Sequence, residues 1–152
     1  MPTNTTDTDR LGELIAAKLQ VAQLLVGLAR RQLELAERGE MTALLKLLAA
    51  KQTVLDQLQR LERQLDPYRD QDPERRVWRS IADRQRCQEQ MEQCGRVLNE
   101  AMSLEKQGEA AMVRRRQAAA EALAQVQSAT DARAAYAAPE SLPAPSVLHC
   151  EG

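Results

Sequence analysis

The 152-residue sequence has no phenylalanine, one tryptophan and two tyrosines. Aromatic poverty combined with an abundance of Ala, Leu, Gln, Glu and Arg excludes the usual makings of β-sandwiches, barrels and nucleotide-binding α/β folds, and matches long helices. An excess of one charge is missing too. The 21 basic residues nearly cancel the 22 acidic ones, and neither half of the chain is biased, so nothing draws it to DNA, RNA or an anionic membrane. No apolar run approaches the ~18–20 residues of a membrane span. The first ten residues, MPTNTTDTDR, lack the basic start and apolar core of a secretory signal. The expectation is a cytoplasmic protein with no membrane span and no nucleic-acid partner.

Catalytic groups are equally scarce. The single histidine, His149, sits beside Cys150, giving two potential ligands where a structural zinc needs about four. Cys87 and Cys94 are seven residues apart on one expected helix, about 10 Å by helical rise, too far to bridge without unwinding. All three cysteines read as free thiols, the first two as small core-facing residues. Every glycine is isolated, so there is no phosphate-cradling loop. The carboxylates read as helix-surface charges without the buried pairing that would split their pKa values. The expectation is a protein that is not an enzyme and has no cofactor or metal.

What is present is leucine at helical spacing. Over Met41–Leu65, at about 100° per residue, Leu44, Leu45, Leu47, Leu48, Val54, Leu55, Leu58, Leu61 and Leu65 occupy an arc of roughly 200°. A two-stranded seam buries a narrower stripe, so this arc calls for at least two neighbouring helices, with the rest of the chain arranged around it. Lys51 and Glu62 fall inside the arc. Either they snorkel at its edge, or they lie where a partner helix docks.

The fold expected is all-α: an elongated, coiled-coil-like antiparallel bundle of three to four long helices. Residues 1–8 read as a disordered start, 9–129 as the helical bundle domain, and 130–152 as weakly helical, then a disordered proline-rich tail. Thr8 or Asp9 is the expected first cap, with a helix from there to about Arg38. Gly39 suits a helix-terminating position, as a full turn or only a kink. Gly27, inside the first stripe, suggests a close helix approach. The second helix should end near Leu65 and a third begin near Pro73, because Asp72-Pro73-Glu74 reads as cap, first-turn proline and acidic first turn. Tyr68 and Trp78 flank that break and are expected to pack one end of the bundle. The third stripe (Val77, Ile81, Cys87, Met91, Cys94, Leu98, Met102, Met112, Leu123) is softer, suiting either a re-packing surface or gap filling. Arg114, Arg115 and Arg116 read as a solvated collar. From Gln117 alanine dominates, and Leu123, Val126 and Tyr136 alone offer sizeable apolar area. That segment should dock weakly and become ordered against something else.

The stretch LLVGLARRQLELAERGEMTALLKLLAAKQTVLDQLQRLE resembles the FlgN family of flagellar type III export chaperones. It has a leucine-rich helix, a Gly-acidic step (Gly39-Glu40), a run of leucines, then Lys51 ahead of another leucine-spaced helix. The tyrosine at position 136 is similar to one in the family's C-terminal region; the family's trailing glycine is absent. The resemblance implies a helical bundle that binds the C-terminal helices of hook–filament junction proteins and delivers them to the export gate. It further implies Met112, Leu123 and Val126 as cargo-facing residues and Tyr136 as the export-gate contact. Ordinary docking of Leu123 and Val126 onto the bundle is the competing reading. A generic coiled-coil scaffold and an accessory subunit for a globular partner are the competing functions, and a weak homodimer stays open.

Overall fold

The computed structural model describes residues 4–137. Three α-helices account for most of them: α1 (Thr5–Arg38), α2 (Met41–Arg69) and α3 (Ile81–Ala137), with one 3₁₀ turn at Pro73–Arg75. The described residues contain no strand, so the class is all-α. The chain divides into two compact units, Met1–Val113 and Arg114–Gly152. The physical reason is burial. Every described residue from 112 onward is exposed, so no apolar contact ties those turns into a core.

Helix α1 starts earlier than its sequence suggests. Asn4, not Thr8 or Asp9, is the cap, and its side chain accepts from the Asp7 amide at 2.9 Å; asparagine caps as well as aspartate. Residues 5–8, read above as part of a disordered start, are therefore helical. Thr8 fixes this first turn: it is buried, and its hydroxyl donates to the Val77 carbonyl at 2.7 Å. Residues 1–3 and 138–152, with His149, Cys150 and the proline-rich stretch, lie outside the described residues.

Gly39 makes a full turn. Its φ is 72°, the Gly39 amide donates to the Ala36 carbonyl at 3.2 Å, and the Glu40 amide donates to the Leu35 carbonyl at 3.0 Å. This is the paired closure that a left-handed residue permits after a helix, and glycine adopts it without a Cβ clash. α2 then packs back along α1. Arg10 donates to Gln64 Oε1 at 3.1 Å, Lys18 pairs with Glu62 at 2.7 Å, and Lys51 reaches Gln32 at 3.2 Å. As the α1 number rises the α2 number falls, which fixes the two as antiparallel.

The second break differs from its expectation at both ends. α2 runs past Leu65 to Arg69, with Pro67 inside its last turn. Asp72 does cap, accepting from the Glu74 amide at 3.0 Å, and Pro73 stands in the first turn, but that start yields one 3₁₀ turn only. α3 begins at Ile81, where Ser80 Oγ accepts from the Asp83 amide at 3.1 Å. A serine cap eight residues downstream supplies what the prolyl start did not propagate. Gly95 and Gly108 do not interrupt α3, and it continues past Ala129 to Ala137.

The core is organised around α1, not around the leucine-dense α2. α1 buries Leu11, Leu14, Ile15, Leu19, Val21, Ala22, Leu25, Val26, Ala29, Leu35 and Ala36, whereas α2 fully buries only Leu44 and Leu65. α1 is flanked on two sides. Besides its contacts to α2, it meets α3 through the Ile15 carbonyl with Cys94 Sγ at 3.8 Å and through Arg30 with Glu100, and the segment just ahead of α3 through Asp9 with Arg79 at 2.7 Å. A helix between two others buries a wide face, while each flanking helix keeps an open edge. At the Tyr68 end, Leu11, Leu14, Ile15, Leu65 and Cys87 form one cluster, with Leu61, Tyr68 and Trp78 packed against it. The two aromatic side chains thus close that end, as their positions beside the break suggest.

α1 is also long and apolar enough by composition to cross a membrane, contrary to the absence of any such run read above. Here most of its apolar residues lie on the face covered by α2 and α3, though Leu24 is exposed along with Arg10, Gln20, Gln23, Arg30 and Arg31.

Candidate functional site

The residues singled out by the resemblance lie on α3. Met112, near the end of the first unit, is partly exposed. In the second unit Leu123 is 69% exposed, Val126 62% and Tyr136 91%. Leu123 and Val126 are three residues apart, so one turn of helix places them ~60° apart on one face. Tyr136 falls ~140° round from Leu123 on the same wheel, off that face. The Leu123–Val126 pair is therefore one patch and Tyr136 is another. Around them the helix presents alanine, serine, threonine and glutamine, a slender surface that a second helix can approach closely.

Lys51 and Glu62 sit elsewhere and have partners inside the chain. Lys51 donates to Gln32 Oε1 at 3.2 Å and pairs with Glu105 of α3. Gln32 is only 3% exposed, and its amide nitrogen lies 3.4 Å from Glu105 Oε1. Three helices thus contribute one polar group each to a small internal network. Gly108 packs beside it: a Cβ there would lie 3.6 Å from Gln32 Nε2, an ordinary van der Waals contact. Gly27, the glycine expected at a close approach, has open space about it, and Gly108 is the helical glycine with a neighbour within 4 Å. Glu62 pairs with Lys18 at 2.7 Å and with Arg69.

Burial sets the electrostatics of this region. Desolvation holds the Lys18 ammonium below its ordinary value of 10.5, with Cys94 opposing the shift and Arg69 adding to it. Burial pushes the Cys87 and Cys94 thiols above their ordinary 9.0, against the pull of Arg76 on the first and Lys18 on the second. Thiols held protonated are poor nucleophiles. Both cysteines are free and buried, as the sequence reading had them.

An open groove of about 410 Å³ lies beside the start of α1, lined by Thr8, Asp9, Glu13, Trp78, Arg79 and Arg86 among others. Its charges pair with one another: Arg79 with Asp9 at 2.7 Å, and Arg86 with Asp83 at 3.6 Å. Among the described residues no group of three or more His, Cys, Asp or Glu could hold a metal ion. What the described surface offers in quantity is exposed leucine, methionine and valine on helices. No protein-family model, curated protein or solved structure matches this chain.

Proposed function

We propose that the protein is a non-enzymatic cytoplasmic chaperone of flagellar type III export, which binds the C-terminal helices of hook–filament junction proteins and brings them to the export gate. The observation that carries this reading is the Leu123–Val126 patch: two large apolar side chains one turn apart, both exposed, on helical turns that bury nothing. Leaving such side chains in water forgoes roughly 1.5–3 kcal/mol each of burial free energy, and a helical client with its own apolar stripe recovers it. The resemblance of Leu24–Leu65 to the FlgN family supplies the identity of the client. In this reading residues up to Val113 form a coiled-coil-like antiparallel bundle that serves as the body. Met112, Leu123 and Val126 face the client, and Tyr136, on a separate face, meets the gate. Lys51 and Glu62, paired within the chain, belong to the body.

The test is binding of a purified hook–filament junction protein, measured by calorimetry with the full chain. Leu123→Ser with Val126→Ser is expected to abolish binding while the melting temperature stays within a degree or two, since neither residue is buried. Tyr136→Ala is expected to keep client binding and lose export. Failure of the intact chain to bind any junction protein, together with an obligate stable dimer in light scattering, would instead favour a coiled-coil scaffold.

A further inference from the structure

The segment between α2 and α3 carries an arginine whose charge has no counter-charge. Arg76 is half-buried, and its Nη2 donates to the Tyr68 carbonyl at 2.7 Å, which clamps the last turn of α2. Its Nε is buried without a hydrogen-bond partner. The arginines near it in the chain are each paired, Arg75 with Asp72 at 3.7 Å, Arg79 with Asp9 at 2.7 Å and Arg84 with Glu74 at 3.5 Å, but among the described residues Arg76 joins no ion pair. A guanidinium keeps its charge at any ordinary pH, and a charge drawn out of water without a partner is costly. The Tyr68 carbonyl offsets part of that cost. A carboxylate would offset more, because it accepts two parallel N–H bonds.

Arg76 lines an open pocket of about 300 Å³ together with Pro73, Glu74, Trp78, Arg84 and Met91 among others. That volume lies at the small end of ligand sites. Two chemistries meet there. Pro73, Trp78 and Met91 supply apolar surface; Trp78 is half-buried and Met91 is 46% exposed, so both have area left to cover. Arg76, Arg84 and Glu74 supply two positive charges and one negative, a net of one positive. Glu74 and Arg84 are both exposed, where water weakens their pair. The uncompensated charge is therefore that of Arg76, the more buried of the two arginines. The groove beside α1 shares Trp78 with this pocket, but both of its arginines are paired.

We propose that this pocket binds a monocarboxylate carried on an aromatic or branched apolar body, the carboxylate on Arg76 and the body against Trp78 and Met91. The planar carboxylate matches the guanidinium fork, which fixes its orientation. One negative charge balances the pocket, whereas the second charge of a phosphate would meet Glu74. Indole and thioether surfaces accept rings and branched chains of varied shape. The same chemistry occurs in a free organic acid and at the C-terminal residue of a polypeptide. The site stands apart from the client reading, since it includes neither Leu123 nor Val126.

Trp78 is the sole tryptophan, so its emission reports occupancy in the full chain. Phenylacetate is expected to change that emission saturably, phenylacetamide to leave it unchanged, and phenyl phosphate to bind more weakly than phenylacetate. Arg76→Gln should weaken phenylacetate binding about tenfold or more. Because that variant also loses the clamp on α2, Glu74→Gln is the variant that spares the fold. Glu74 is exposed, and removing its charge should tighten phenylacetate several-fold. Arg79→Gln, in the groove beside α1, should leave the affinity as it was. N-acetylphenylalanine tells the two sources apart: tighter binding than phenylacetate points to a polypeptide terminus, and weaker binding to a free acid. Absence of a saturable change would overturn the proposal, as would equal binding of phenylacetamide, tighter binding of phenyl phosphate, or an affinity indifferent to Arg76→Gln or to Glu74→Gln.

Discussion

At Lys51 a side chain that the leucine pattern of α2 would have left apolar is instead met by Gln32 from α1 and Glu105 from α3. Removing one partner of such a group strands the others away from water, which costs more than the contact itself is worth. Lys51→Ala is therefore expected to destabilise the fold by about 1–2 kcal/mol, less than for a fully dry pair because Glu105 remains partly exposed. Lys51→Met with Glu105→Leu should recover much of that loss; urea unfolding of both variants checks the pair. The buried thiols give a second prediction at this scale. Their folded pKa values are raised, so protons stay on Cys87 and Cys94 in the native state while the unfolded chain loses them from about pH 9.0. Above that pH the unfolded state binds fewer protons, and stability falls as pH rises toward the folded values. Lys18 acts with the opposite sign, because its lowered pKa relieves a cost as pH climbs toward 10.5. The clean readout is a difference: replacing both cysteines by alanine should flatten the alkaline decline relative to the unaltered chain.

Among the elements, the glycines separate by what surrounds them. Among the described residues Gly39 alone has a positive φ, so Gly39→Ala should cost roughly 1 kcal/mol or more through backbone strain at the α1–α2 turn. Gly27 lies mid-helix with nothing near a would-be Cβ, and Gly27→Ala should stabilise by about 0.5–1 kcal/mol. Thermal melts of the two variants should shift in opposite directions. The sequence made the helices themselves legible, because leucine periodicity and the Gly39 and Asp72-Pro73 signals are local. It misplaced their ends where several caps competed. Asn4, Thr8 and Asp9 are all good caps, and what favours Asn4 is the anchoring of Thr8 to the Val77 carbonyl, a contact across sixty-nine residues. Likewise Ser80 is an unremarkable serine in the sequence until the 3₁₀ turn ahead of it fails to propagate. α3 passes through Gly95 and Gly108 without a break because an isolated glycine weakens a helix by only ~1 kcal/mol.

For the molecule as a whole, leucine density proved a poor guide to the centre. α2 carries more leucine than its neighbours cover, whereas α1 lies between the other two helices and buries alanine and valine as fully as leucine. Density reports the apolar area a helix brings; burial reports how many neighbours it has, and topology decides the second. The same distinction applies to the candidate site. Exposure of Leu123 and Val126 was foreseeable from an alanine-rich stretch with little to bury, while the partners of Lys51 and Glu62 were not, because pairs across fifty residues leave no periodic trace. The difference in burial between the two units should appear directly in hydrogen exchange: amides of Arg114–Ala137 are expected to exchange well before those of Leu11–Ala36, since local opening there exposes no core.

One consequence concerns the lifetime of the chain. Arg114 and Arg116 stand where buried turns give way to exposed ones, and a trypsin-like protease needs only brief fraying to reach them. Whatever covers the turns after that point would also shield these bonds from cleavage, so occupancy by a partner would govern how long the intact chain persists.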